Sequence, residues 1–321
     1  MKNSRLYTCL LCVAAWVLLT ACESFVTDIP EAKLPKSESK LVISSIISPQ
    51  LSYINVIVTE SVPLFSKSGA TGKRLDNAVV KISDGVKEAT IPYDTTNNLY
   101  SLEQSKFPIN PSKTYTLFVS DGKRSVTAQC TVPAKVPVVE SYVFDTMVFE
   151  GEQYKDTAIT LKMTWRDIPG DTNQYRVSGT MDIEYNISVK EPSGKYTERR
   201  VSYPFQFNWN WQQGKNEFQS DSYQDGALFT SPLGKINLPE VREENHNGKK
   251  VTVYPKTKIK GVVLEVFNID QHYYKYERSL EARNNADNPF AEPSIVYSNV
   301  KGGFGFFASY NAAQIKIAKY Q

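Results

Sequence analysis

Two histidines, His246 and His272, are all the imidazole that this 321-residue chain offers, and that narrows the chemistry open to it. Attack by a hydroxyl or thiol needs a base within reach. His246 stands in REENHNGKK, which reads as a solvated turn, and His272 lies beside two tyrosines at helical spacing, where packing or a surface position is the expected role. Neither has the His-Glu-x-x-His context of a zinc protease, no Gly-x-Ser-x-Gly elbow occurs, and Gly69-Ala70-Thr71-Gly72-Lys73 lacks the spacing of a phosphate loop. DSYQDG places Asp221 and Asp225 ahead of a glycine, but the alternating oxygen ligands and closing glutamate of an EF-hand loop are missing, so no metal is expected. The 34 acidic residues leave a glycosidase-like carboxylate pair open without singling one out.

The cysteines carry a clearer message. Lys2 and Arg5 precede an uncharged run from Leu6 to Leu19, closed by Thr20, Ala21 and Cys22, which is the layout of a secretory signal peptide over residues 1–21. The run is shorter than the roughly 20 residues a bilayer-spanning helix needs. Leu19-Thr20-Ala21-Cys22 resembles the bacterial lipobox, whose cysteine receives a diacylglycerol before cleavage; a plain signal peptide ending at Ala21 is the alternative. At about 0.8 kcal/mol per buried CH₂, acyl chains on Cys22 would anchor the protein without a transmembrane helix. Cys9, Cys12 and Cys22 fall in or at the end of the signal, so Cys130 is the only thiol in the body of the chain and can form neither an internal disulfide nor a cysteine-based zinc site. Val126, Ala128 and Val132 alternate around it, which suits a buried structural thiol. Removing the signal takes two of the 37 basic residues and none of the 34 acidic ones, and the resulting near-neutral chain has no footprint for nucleic acid.

The elements that would position such groups are strands. Residues 22–39 contain Pro30 and Pro35 without sustained periodicity and read as a tether. Residues 40–135 hold about seven short Val-, Ile-, Thr- and Tyr-rich runs, punctuated by Asp84-Gly85, Asn97-Asn98 and Asp121-Gly122. The expected fold class is all-β, mainly β with one helix: an N-terminal immunoglobulin-like or transthyretin-like sandwich, followed over residues 136–321 by a second mainly-β sandwich or open barrel. The helix is expected near 270–285, where Ile269, Tyr273, Tyr276 and Leu280 form one apolar stripe, Asp270 can cap, and Ile269 and Tyr274 are placed for a hydrophobic staple.

YPFQFNWNWQQG, residues 203–214, is the most unusual stretch. Tyr203, Phe205, Phe207, Trp209 and Trp211 recur every second residue and would project from one face of a strand. Facing inward, they supply the second core. Facing outward, they make a binding platform. Core is the stronger expectation, with a mixed arrangement open in which Trp209 and Trp211, near the strand end, reach solvent.

Towards the C-terminus a tyrosine-rich helix is followed by Asn288-Pro289-Phe290-Ala291-Glu292-Pro293, Tyr297-Ser298-Asn299-Val300 and Gly302-Gly303-Phe304-Gly305-Phe306-Phe307. Together with the lipobox, TYTLFVSDG and TWRDIPGDTNQYRV in the same order, this resembles lipoproteins of the Bacteroidetes classed as domain of unknown function 4249 (DUF4249), over nearly the whole mature chain. The resemblance implies a lipid-anchored outer-membrane protein, commonly encoded beside TonB-dependent receptors, without enzymatic residues that carry over. Glu23 and Asp28 partly resemble the surface-export signal of such lipoproteins. The expected function is therefore non-enzymatic: an accessory that captures ligand for a TonB-dependent transporter, with Trp209, Trp211 and Phe290 as candidate contacts and no cofactor. A stand-alone glycan-binding or adhesion module is the alternative. The glycine-rich stretch itself reads as a structural strand closing the second unit.

Overall fold

Strict alternation decides most of this structure. In LVISSII, Leu41, Ile43 and Ile47 are enclosed while Val42 and Ser44 between them stay half-open, the signature of a strand with one face on a core. The computed structural model describes residues 38–62, 72–150, 155–212, 216–222, 225–284 and 295–318. The signal peptide, Cys22, almost all of the tether and the Phe290 loop lie outside the described residues. Every element named below belongs to one unit, residues 40–61 and 72–321.

The first sandwich is built from β1 (Leu41–Ile47), β2 (Tyr53–Glu60), β5 (Tyr93–Asp94) and β6 (Leu99–Glu103) on one side, and β3 (Val79–Ser83), β4 (Glu88–Thr90), β7 (Thr114–Ser120) and β8 (Ser125–Thr131) on the other. One core joins them, with Tyr115, Leu117 and Val119 meeting Ile43, Ile54 and Val56. Cys130 sits in this core, and burial pushes its thiol well above the ordinary range, so it behaves as a small apolar side chain.

The second sandwich pairs a long antiparallel trio, β11 (Gln174–Lys190), β12 (Tyr196–Gln206) and β18 (Lys258–Ile269), with a smaller sheet in which β9 (Val138–Glu150), β14 (Leu228–Thr230) and β15 (Gly234–Asn237) flank β10 (Lys155–Arg166). β13 (Phe218–Ser220) adds to β11, and β16 (Arg242–His246) pairs with β17 (Lys249–Val253) as a separate hairpin. Trp165 is fully enclosed, stacked on Phe229 and edge-on to Tyr175. Among the described residues the sheets are open and none closes into a barrel.

The last strand, β19 (Phe304–Ile317), belongs to both sandwiches. Its first half runs parallel to β1, from Val42 opposite Phe304 to Ile47 opposite Ser309. Its second half runs antiparallel to β18, from Tyr310 opposite Ile269 to Ile317 opposite Val262. A single nine-stranded sheet results. The glycine-rich stretch thus lies on β1 in the first sandwich and does not close the second unit as expected. Gly305 shows why glycine is needed: with φ near 102°, any Cβ there would stand 1.9 Å from the Ile43 carbonyl oxygen.

The one helix among the described residues, α1 (Gln271–Asn284), follows β18 directly. Asp270 is its N-cap, accepting from the Tyr273 amide at 2.8 Å. Ile269 and Tyr273 are enclosed, Tyr274 packs against the same cluster, and Tyr276 stacks on Phe306 at 3.9 Å. The expected stripe is therefore the face laid on β18 and β19.

Candidate functional site

The segment that leaves β8 and leads to β9 is held down by polar side chains of β18 and β19. Ser309 Oγ contacts the Thr131 carbonyl at 2.9 Å, Asn311 Nδ2 donates to the Pro133 carbonyl at 3.0 Å, and Asn268 Nδ2 donates to the Lys135 carbonyl at 3.1 Å. Beside it opens a cavity of about 470 Å³, a size suited to a small ligand. Its enclosed wall is Ile168, Asn173, Asn268, Ile269 and Asp270, and Lys135, Asp171 and Gln271 stand exposed at its mouth. Asn268 Nδ2 also reaches Asn173 Oδ1 at 3.2 Å, and Asn173 Nδ2 donates to the carbonyls of Ile168 and Asp171. Amides and backbone groups dominate this wall.

Asp270 is the enclosed acid of this wall. Its Oδ1 takes the Tyr273 amide, and its Oδ2 takes the Ser309 amide at 2.7 Å and contacts Ser309 Oγ at 2.8 Å. Burial outweighs those bonds and lifts its pKa to about 6. Ser309 Oγ has one proton and two oxygen neighbours, Thr131 O and Asp270 Oδ2, so a protonated Asp270 can supply the second hydrogen.

Across Asn173 three further carboxylates meet. Asp167 follows β10, while Asp221 and Asp225 follow β13, and one oxygen from each lies within 4.8 Å of the others. Asp167 accepts from the Tyr175 hydroxyl at 2.6 Å and the Gly226 amide at 2.7 Å. Asp221 Oδ2 accepts from the Asn173 amide at 2.8 Å, and Asp225 Oδ1 from the Gly170 amide at 2.9 Å. Among the described residues, Asp221 Oδ1 is enclosed and meets no hydrogen-bond donor. Burial first, and then the charges of Asp167 and Asp225, push Asp221 above the usual carboxylate range. Among the described residues, none of the three forms an ion pair with a lysine or arginine. The sequence expectation of no metal at DSYQDG weighed only Asp221 and Asp225, and Asp167 joins them from another loop.

The aromatic stripe is enclosed at its Phe207–Trp209 end, as the core expectation has it and against the mixed alternative that left Trp209 open. β12 stops at Gln206, and the chain then crosses to the opposite sheet: Phe207 still donates to the Gly179 carbonyl, while Asn208 exchanges hydrogen bonds with Lys235 on β15. Phe207 and Trp209 are core residues. A Cβ on Gly234 would fall 2.8 Å from the Trp209 ring, so glycine there makes room for the indole. Trp211 is half-buried, with Nε1 donating to the Leu233 carbonyl at 2.6 Å and Lys235 Nζ lying over its ring. Enclosure corrects the contact role expected for Trp209 and turns the edge of Trp211 inward. Tyr203, at the other end, is 52% exposed and lies 6.2 Å from Tyr185.

Neither histidine is set up as a relay. His246 is half-buried on β16, stacked on Tyr196 at 3.6 Å, not in an open turn. Ser188 Oγ at 3.1 Å and Glu244 Oε2 at 2.8 Å both address its Nε2. A nucleophile–base–acid triad needs the two ring nitrogens to serve different partners. His272 contacts the Tyr297 hydroxyl through Nδ1 at 2.7 Å, and burial lowers its pKa.

A family model described as a domain of unknown function, DUF4249, matches residues 23–316. A search of curated proteins gives no match. Among solved structures, a chain titled "Biofilm associated protein - BSP domain" aligns with 8% identity and a TM-score of 0.17, over 88% of this chain and 59% of that one.

Proposed function

Since this chain belongs to the DUF4249 family, we propose that it is a non-enzymatic, lipid-anchored outer-membrane protein that captures a small polar ligand beside a TonB-dependent transporter. The observation that carries the reading is the cavity of about 470 Å³ walled by Asn173, Asn268 and Asp270. Fixed amides with defined partners can orient a polar ligand, and their rigidity keeps the ordering cost of binding low. The histidine geometry supports a binding role over a hydrolytic one. Lipidation at Cys22 would place carrier and receptor in one membrane, so a modest interface gains from high local concentration.

Two experiments test this. Metabolic labelling with a fatty acid should mark the wild type, and Cys22→Ser should abolish the mark; an unlabelled, freely secreted wild type would remove the anchor. Affinity capture from detergent-solubilised outer membranes should recover a TonB-dependent receptor, and repeated recovery of none would count against the accessory role.

A second reading, a stand-alone glycan-binding or adhesion module, draws support from the exposed Tyr203 beside Tyr185, since sugars stack on open aromatic faces. It expects binding to isolated glycans that Tyr203→Ala weakens while the cavity is left intact.

A further inference from the structure

We propose that Asp167, Asp221 and Asp225 form a binding site for a divalent cation of the calcium class. Three carboxylates from two loops present oxygens within 4.8 Å of one another. Asp167 is 2% exposed and Asp221 4% exposed, so water screens their mutual repulsion poorly. No lysine or arginine among the described residues pairs with any of them. Backbone and hydroxyl donors occupy one oxygen each of Asp221 and Asp225, and Asp167 accepts from Tyr175 and Gly226.

The independent sign of a ligand is Asp221 Oδ1. Among the described residues this buried carboxylate oxygen meets no donor, a state that costs free energy unless a cation or proton meets it. Two ligands of one calcium ion, at about 2.3–2.6 Å each, can stand up to about 5.2 Å apart, so oxygens that lie within 4.8 Å of one another can all reach it. Magnesium demands near-ideal octahedral geometry and gives up its water reluctantly, which suits this mixed carboxylate set less well. Calcium takes about six to eight oxygens, so backbone carbonyls and water would complete the shell, and exposed Asp225 gives the ion a way in. The site is separate from the ligand-capture reading and stands or falls without it.

The test is a calcium titration of the mature protein in detergent, read by thermal unfolding and by terbium luminescence sensitised through the aromatic residues. Trp165 and Tyr175 lie 5.8 Å apart, and the Tyr175 hydroxyl touches Asp167, so terbium at the site should be lit efficiently. Calcium should raise the melting temperature, with roughly a tenfold gain in the folding equilibrium constant per tenfold rise in calcium beyond saturation. Magnesium should do much less, and a chelator should reverse the effect. Asp221→Asn should remove the response, and Asp225→Asn, at an exposed position where the amide oxygen can still accept from Gly170, should weaken it at least tenfold. No calcium response in the wild type would overturn the proposal, as would a response that survives unchanged in both variants. Stability that instead rises on acidification and depends on Asp221, without any calcium effect, would mark a proton-sharing pair and equally overturn it.

Discussion

Asp270 and Asp221 are both enclosed aspartates just past a strand, on the two sides of Asn173, and the sequence marks the first as a helix cap and the second only as part of DSYQDG. Their surroundings separate them. Asp270 has the Tyr273 amide, the Ser309 amide and the Ser309 hydroxyl around its two oxygens. Asp221 has one donor, one bare oxygen and two carboxylates for neighbours. A buried acid with a full set of donors is a structural joint. One that lacks them, among its own kind, is arranged for something outside the chain.

Substitution sharpens this contrast most strongly at the joint. Asp270→Ala removes a helix cap and strands buried donors of Ser309, and should cost about 4 kcal/mol in denaturant unfolding. A loss below about 1 kcal/mol would mean that Asp270 does not tie α1 to β19.

Acidity gives the next largest effect. Burial raises the folded-state pKa of Asp270 to about 6, above the ordinary aspartate value of 3.8, so its contribution to stability is complete below the unfolded value and is lost as pH rises through about 6. The difference is roughly 2–3 kcal/mol. Asp121, lowered to about 2, acts in the opposite direction but only in stronger acid. Cys130 and Tyr297 near Asp270 are shifted upward by burial and stay neutral across this window, and His272 is shifted downward. Comparing Asp270→Asn with wild type from pH 4 to pH 8 therefore isolates the carboxylate; identical profiles would rule out a titrating Asp270.

The smallest effect lies at the cluster. In chelator, Asp221→Asn relieves repulsion and lets an amide face its neighbours, so it should be neutral or stabilising by under about 1 kcal/mol. A strong loss of stability in chelator would make Asp221 a joint like Asp270 and erase the contrast.

What the sequence discloses follows the range of the interaction. Alternation in YINVIVTE and TYTLFVS places β2 and β7 to the residue, because exposure of each side chain is decided by its own strand. The Asp270 cap and the Tyr273–Tyr276 stripe are equally local. Partner choice is not. Gly305 signals close backbone approach, but its neighbour is Ile43, at the other end of the chain. The aromatic period at residues 203–211 reveals one shared face without showing that the chain changes sheets after Gln206, which turns Trp209 inward and leaves Tyr203 outside. Asp221 and Asp225 are visible in DSYQDG, whereas Asp167 joins them only because the loops after β10 and β13 are clipped together by the Asp167–Gly226 and Asp225–Gly170 bonds. Of the residues first singled out, Trp209 packs in the second core, Trp211 is half-buried with its Nε1 on the Leu233 carbonyl, and Cys22 and Phe290 lie outside the described residues.

The contrast is tested most directly by an anomalous-difference map from crystals grown with calcium and then exchanged into terbium. The account predicts a peak bounded by Asp167, Asp221 and Asp225, about 2.3–2.6 Å from an oxygen of each, and none at Asp270. Bare carboxylates at full terbium occupancy elsewhere in the lattice, or a peak at Asp270 instead, would contradict it.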